Sequence, residues 1–290
     1  AASDVYKRQV ITGVSGSGKS SLVKGIIYPG LNNLLGNSSE KATKYDKILG
    51  EVNQIKEVNF VDQNPIGRSS RSNPATYVKA FDEIRVLFSE QKLAKVRGYK
   101  PGFFSFNIPG GRCDECEGEG TVKIEMQFMA DIYLTCEACG GKRFKDEVLN
   151  VTFQEKNISE VLDMTIDEAI MFFDKTKQNT IIKRLLTKLQ PLQDVGLGYL
   201  KMGQPSNTLS GGEAQRIKLA SFLTIGDKNN HSLFIFDEPT TGLHMYDISK
   251  LLDSLNALIE NGHTVLIIEH NSEIIKSADW IIDLGPEGGD

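Results

Sequence analysis

The segment Gly13-Val-Ser-Gly-Ser-Gly-Lys-Ser20 constrains the fold of this chain most. It follows the short β-branched run Val10-Ile-Thr12 and matches G-x-x-x-x-G-K-[ST], a phosphate-binding loop set between a strand and a helix. Gly13, Gly16 and Gly18 let the backbone turn tightly, so that successive N–H groups and the N-terminus of the next helix face an anion. Lys19 is placed to reach the β- and γ-phosphates of a nucleotide, and the Ser20 hydroxyl to sit on Mg²⁺. A second anion site is expected at Leu209-Ser-Gly-Gly-Glu-Ala-Gln-Arg216. There Ser210, Gly211 and Gly212 precede a helix over Glu213–Leu223 and present a hydroxyl and backbone N–H groups.

Between these two segments lie all four cysteines of the chain, Cys113, Cys116, Cys136 and Cys139, as C-x-x-C, nineteen intervening residues, and C-x-x-C. The spacing is that of a tetrahedral Cys₄ zinc site. Glycines at 110, 111, 118, 120, 140 and 141 flank the pairs, where two turns must aim thiolates at one ion. Four protein ligands leave no open position, so the site is expected to be structural rather than hydrolytic. A redox C-x-x-C pair is the competing reading, and the doubled motif without a thioredoxin-like setting favours zinc. Val122-Lys-Ile-Glu-Met-Gln-Phe128 alternates apolar and polar residues, as a strand or hairpin arm would.

The 290 residues are 40% apolar, enough for a sizeable core in one or two domains. No apolar run approaches the roughly 20 residues of a spanning helix, and no signal peptide is evident, so a cytoplasmic location is expected. In a reducing compartment the cysteines point to metal rather than disulfides. The net charge of −5 opposes indiscriminate nucleic-acid binding. From Arg68 to Arg112, however, nine basic residues face three acidic ones, a local basic surface or a solvated face.

The remaining elements follow from punctuation and period. Asn32 to Lys47 reads as a polar, mobile loop, and Glu57 to Gln63 as a strand followed by a turn at Asn64–Gly67. Thr165-Ile-Asp-Glu168 predicts a capping box opening an amphipathic helix, and Thr180–Leu189 a second helix ending before Pro191, with a loop over Gly196–Gln204. Ser232-Leu-Phe-Ile-Phe-Asp237-Glu238 reads as a buried parallel strand closed by two acids. Of these, Asp237 is placed to hold Mg²⁺ and Glu238 to polarise an attacking water. Asp247–Gly262 has helical spacing. Thr264–His270 repeats the buried-strand pattern and brings His270 to a strand end within reach of a γ-phosphate, and Trp280–Leu284 is one more strand.

In order, GVSGSGKS, VDQNPIGR, the Cys₄ module, LSGGEAQR, FDEPTTGLH and IIEH resemble the ABC-type ATPase superfamily and, within it, the C-terminal half of the UvrA family. Arg71-Ser-Asn-Pro-Ala-Thr-Tyr77 and Ile281-Ile-Asp-Leu-Gly-Pro-Glu-Gly-Gly289 carry the same resemblance, which runs from about Val10 to Asp290. It implies an α/β P-loop ATPase with a helical signature subdomain and an inserted zinc module. The implied layout is 1–67 as the first ATP-binding part, 68–227 as the signature domain with the zinc module at about 103–150, and 228–290 as the second ATP-binding part. It also implies a catalytic set of Glu238, His270 and Gln63, the last touching Mg²⁺ and water. The implied nucleotide-binding set is Gly13, Ser15, Gly16, Gly18, Lys19, Ser20, Ser21 and Asp237, with Ser210, Gly211 and Gly212 acting on ATP held by an opposing loop.

Its implied cofactors are ATP, Mg²⁺ and one structural Zn²⁺. Its implied partners are lesion-bearing double-stranded DNA and either a second copy or an N-terminal ATPase half. UvrB is expected to dock on that other half rather than on this stretch. Residues Ala1–Gln9 fit no motif, and the strands that usually precede the loop in the family are not found before it, as in a truncated chain. Rival readings are a specialised UvrA-like paralogue, or a transporter or translation-factor ATPase, which the Cys₄ insertion opposes. A DnaJ-like zinc module would carry four such repeats and no phosphate loop, and a chromosome-structure ATPase would need heptads that are absent between Gln63 and Leu209.

Overall fold

A computed structural model describes residues 7–37, 42–50, 52–67, 69–124, 132–176, 179–225 and 231–285. In chain order, β1 (Arg8–Thr12) leads to α1 (Lys19–Leu22), a π-helical turn Val23–Ile27, α2 (Tyr28–Leu34) and β2 (Glu57–Val61). Next come α3 (Pro74–Tyr77), α4 (Ala80–Ser89), α5 (Lys92–Val96), β3 (Thr121–Ile124), β4 (Ile132–Thr135), α6 (Asp146–Leu149), the two-residue strands β5 (Thr152–Phe153) and β6 (Lys156–Asn157), α7 (Ile158–Asp163), α8 (Ile166–Asp174) and α9 (Thr180–Asp194). The last third holds α10 (Gly211–Ile225), β7 (Ser232–Asp237), α11 (Met245–Glu260), β8 (Thr264–Ile268), α12 (Ser272–Lys276) and β9 (Trp280–Asp283). None of the described helices is long and apolar enough to cross a membrane.

The chain divides into two compact units. One comprises Ala1–Asn64 with Gly211–Asp290, the other Pro65–Ser210.

The first unit is built on a parallel sheet in the order β2-β7-β8-β1-β9. Its central strands are continuous apolar runs because both faces are covered. In β7, Leu233 and Ile235 join Ile11, Val23, Leu31, Val58, Leu266 and Ile268 on one face. Phe234 turns to the other, where its ring meets Phe222 of α10 edge-on with centroids 4.9 Å apart. All five strands therefore deliver their C-terminal ends to one edge, where ligands of open parallel sheets bind.

The layout implied by the resemblance groups the helix after Ser210 with the signature domain, whereas α10 belongs to this first unit. The reason is local bonding. Buried Gln215 donates from Nε2 to the carbonyls of Val61 (2.8 Å) and Asp237 (3.1 Å), and Lys218 donates to the Asp62 carbonyl (3.2 Å). Arg8 and Gln9, which fit no motif, are also integral. Both lie in β1, where Arg8 pairs with Val265 and Gln9 with both Leu266 and Trp280, while residues 1–6 lie outside the described ones. The expected loop from Asn32 begins later, because α2 continues to Leu34 and buries Asn32. Beyond residues 38–41, which are not described, the chain folds back, with Thr43 N donating to the Gly25 carbonyl (2.8 Å).

The second unit packs α9 against α4 and α8 and stacks Phe81 on Phe106 with centroids 4.7 Å apart. Glu83 of α4 accepts from Arg184 (3.0 Å) and Lys188 (2.8 Å) of α9. Burial resists its ionisation, but those two cations prevail and hold its carboxyl below the usual range. The capping box at α8 is present, with Thr165 Oγ1 accepting from Glu168 N and Glu168 Oε2 from Thr165 N.

The expected end of α9 before Pro191 is wrong, since the helix runs to Asp194. A proline there removes one backbone donor, but Leu185, Leu189 and Leu192 are fully buried along one face, and that burial outweighs one lost hydrogen bond. The 196–204 loop is pinned by backbone bonds, Ile166 N to Leu200 O and Met202 N to Met164 O, both 2.9 Å. Leu189→Ala should cost about 2–5 kcal/mol in urea unfolding, whereas a loss near zero would mean that α9 is not anchored through this face.

Candidate functional site

The loop between β1 and α1 makes the first site. Gly13, with φ 134°, has no room for a side chain, because a Cβ would stand 2.4 Å from the Leu284 carbonyl oxygen. Gly16 and Gly18 are also left-handed, with φ 84° and 94°, and Gly18 is the N-cap of α1. This backbone wraps Lys19, only 6% exposed, whose Nζ donates to the carbonyls of Gly13 (2.9 Å) and Val14 (2.8 Å). Ser15, Gly16, Gly18, Lys19, Ser20, Ser21, Glu238 and His270 line one cleft of about 210 Å³.

Across the cleft, His270 Nε2 lies 3.8 Å from Glu238 Oε1. Glu238 adopts φ 49°, a left-handed conformation that a side-chain-bearing residue holds only when its surroundings impose it. Its N–H donates to the Ile268 carbonyl (2.9 Å), which ties the end of β7 to the end of β8. Gln63, two residues beyond β2, directs Nε2 at the carbonyls of Glu238 (3.3 Å) and Asp237 (3.5 Å).

Asp237 and the glycines of α10 stand beside the cleft rather than lining it. The Asp237 carboxylate pairs with Lys24 at 2.6 Å. Lys24, on the π-helical turn, carries no sequence signal beyond being a cation five residues after Lys19, and Gln215 carries none beyond its place in the Leu209–Arg216 segment. Gly211 sits against Gln63, and Gly212 against the Thr241 carbonyl, where Cβ atoms would come within 3.0 and 2.9 Å respectively. Ser210 precedes them at the end of the second unit. The donor set near the loop, a carboxylate and hydroxyls, suits a hard cation such as Mg²⁺.

The second site is the cysteine cluster of the other unit. All four thiols are buried, with their sulfurs within 4.8 Å of one another. Cys113 Sγ lies 4.0 Å from Cys136 Sγ, and Cys116 Sγ 3.7 Å from Cys139 Sγ. Zn–S bonds of about 2.3 Å in a tetrahedron separate sulfurs by about 3.8 Å, so the cluster fits zinc. Left-handed Gly118, Gly120, Gly140 and Gly141 bend the two knuckles, and Gly120 N donates to Cys116 Sγ (3.3 Å). Burial, with help from the neighbouring thiols, pushes Cys139 up to about 12, so a bound cation would have to displace its proton. The β3–β4 hairpin rises between the two pairs, with Val122, Ile124, Ile132, Tyr133 and Leu134 exposed. Residues 125–131, including the outer part of the expected 122–128 arm, lie outside the described ones.

Three of the nine basic residues between Arg68 and Arg112 are paired with carboxylates. Arg71 bonds Glu119 (3.4 Å), Arg112 bonds Glu117 (3.5 Å) and Arg85 bonds Asp82. Lys92, Lys95, Arg97 and Lys100 remain exposed around α5, and Arg68 is not described.

No protein-family model matches the chain. It is 56% identical over 279 residues to UvrABC system protein A of Clostridium tetani, covering 96% of this chain and 29% of that protein. It is 55% identical over 280 residues to UvrABC system protein A of Aquifex aeolicus, covering 97% and 29%. The crystal structure of UvrA2 from Deinococcus radiodurans matches with a TM-score of 0.82 and 44% identity, over 95% of this chain and 32% of that one. The chain thus spans under a third of the length of these relatives. With more than half of its residues identical along nearly its whole length, and the same fold beneath them, the chain belongs to the UvrA family, of which it matches one segment.

Proposed function

We propose that this chain is an ATP-binding and ATP-hydrolysing segment of a lesion-recognising protein of nucleotide excision repair. The observation that carries the ATPase reading is the convergence of Lys19, Ser20, Glu238 and His270 on one cleft at the C-terminal edge of a parallel sheet. In this reading the amides after Gly13 and the Lys19 ammonium hold the β- and γ-phosphates. Ser20 and Asp237 would hold Mg²⁺, which offsets phosphate charge when bound. Glu238 orients and deprotonates the attacking water, Gln63 positions it, and His270 contacts the γ-phosphate.

Ser210, Gly211 and Gly212 do not line this cleft, in keeping with a role on a nucleotide held by a second phosphate loop. Hydrolysis then requires association, with another copy or with an N-terminal ATPase half of the same protein. UvrB is assigned to that half.

The DNA-binding part of the proposal is supported by the 56% identity to a UvrABC system protein. Two surfaces of the second unit suit it chemically. The exposed Lys92, Lys95, Arg97 and Lys100 offer phosphate contacts, and the apolar β3–β4 hairpin offers a surface for a distorted duplex. In this reading the cysteines hold one structural Zn²⁺ that stiffens the base of the hairpin. A transporter or translation-factor role finds no comparable support.

Three outcomes test the proposal. Glu238→Gln should leave ATP affinity within about twofold and lower turnover about 10²-fold or more; brisk hydrolysis by that variant removes Glu238 as the base. Cys136→Ser should reduce bound zinc from about one per chain toward zero, read by elemental analysis, and retention of the metal would show the ligands to be misassigned. Titrations of lesion-bearing and intact duplexes across a salt series, with and without ATP, should give tighter, nucleotide-dependent binding to the lesion. No binding even at low salt would count against DNA recognition by this segment.

A further inference from the structure

We propose that Glu269 is a positioning residue that locks the loop after β7 to the loop after β8 and thereby sets where His270 stands relative to a γ-phosphate; the inference rests on the ATPase reading above. Glu269 is 2% exposed and does not line the cleft. Its carboxylate nevertheless takes four hydrogen bonds, divided evenly between two segments. Oε1 accepts from Thr240 N (2.8 Å) and Thr240 Oγ1 (2.5 Å), whereas Oε2 accepts from His270 N (2.8 Å) and Asn271 N (3.0 Å).

A buried carboxylate is expensive unless its lone pairs are filled, and here three amides and a hydroxyl fill them. Because each oxygen serves one loop, the rigid carboxylate plane fixes the distance between the two loops. Glu269 N also donates to the Ile11 carbonyl (3.1 Å), which anchors the clamp to the strand that feeds the phosphate loop.

The consequence falls on the residues at either end. Glu238, Pro239 and Thr240 are consecutive, and Glu238 holds a left-handed backbone that needs constraint from both sides. Its own N–H to Ile268 supplies one side, and Thr240 on Glu269 supplies the other. On the opposite arm, the Glu269 bond to His270 N sets the backbone from which the imidazole reaches to 3.8 Å from Glu238. Glutamine at 269 would retain the volume but place an –NH₂ group against donors on one side, so one of the two loops must let go.

The test compares the affinities of ADP and of a non-hydrolysable ATP analogue, both with Mg²⁺, so it requires neither turnover nor association. Glu269→Gln should keep the ADP Kd within about twofold and weaken the analogue at least about fivefold, as His270→Ala should. The double variant should be no weaker than His270→Ala alone, because both changes act through one contact. Thr240→Val, which removes one donor and keeps the carboxylate, should shift the ratio the same way by less, and it decides the matter if Glu269→Gln does not fold.

Equal weakening of both nucleotides would reduce Glu269 to general support. An unchanged ratio, or losses that add in the double variant, would also overturn the proposal, as would a His270→Ala variant with an unaltered ratio. An unmutated chain that binds neither nucleotide would instead sink the ATPase reading itself.

Discussion

The parallel pairing of β7 with β8 and of β8 with β1 is the constraint on which the first unit depends. Residues 232–236 of β7 are all buried, so their peptide groups have no water to turn to and must bond to neighbouring strands. Once the strands run in one direction, every chain segment that leaves a C-terminal end emerges at the same edge. The phosphate loop, Gln63, Glu238 and His270 meet there although they are spread over most of the sequence. No contact among those residues creates the arrangement. It is inherited from the apolar runs beneath it.

The rim of that edge is held by amides and carbonyls more than by charge pairs. Gln63 and Gln215 both donate to the Asp237 carbonyl, from the turn after β2 and from α10 respectively. Glutamine suits this task because its neutral amide bonds buried carbonyls without the desolvation penalty of a lysine or arginine. The charged groups at the rim are meanwhile satisfied locally, Lys19 by its own loop and Asp237 by Lys24. In the proposed function a bound nucleotide would exchange these contacts for phosphate oxygens and a metal, so its affinity would reflect a difference between two satisfied states.

The cysteine unit solves a different problem. Its knuckles are turns with little apolar area of their own, and the buried thiols are the cluster around which they close. Backbone bonds tie it to its flanks, Cys113 N to the Arg143 carbonyl (2.9 Å) and Cys136 N to the Gly120 carbonyl (3.0 Å). The exposed apolar residues of β3 and β4 gain nothing from this packing, which makes the hairpin a surface available for a partner rather than a piece of core.

The sequence by itself determined the elements whose physics is local. These are the left-handed glycines of the phosphate loop and of the knuckles, the capping box at Thr165, the central strands read from unbroken apolar runs, and the cysteine spacing. It could not decide where long-range burial overrides local preference. Pro191 is a stop signal in isolation, and only the buried face of Leu185, Leu189 and Leu192 carries α9 past it. Arg8 and Gln9 match no motif and become strand because a neighbouring strand supplies their hydrogen bonds. The glutamine of Leu209–Arg216 gave no sign that it would bind carbonyls of two distant strands and so draw α10 into the sheet unit. Glu269 looked like the tail of an apolar strand, and its four donors come from two loops whose approach exists only once β7 and β8 are side by side. Local pattern reports what a segment can bury or bend, whereas the filling of a buried polar group depends on which segments the sheet brings next to it.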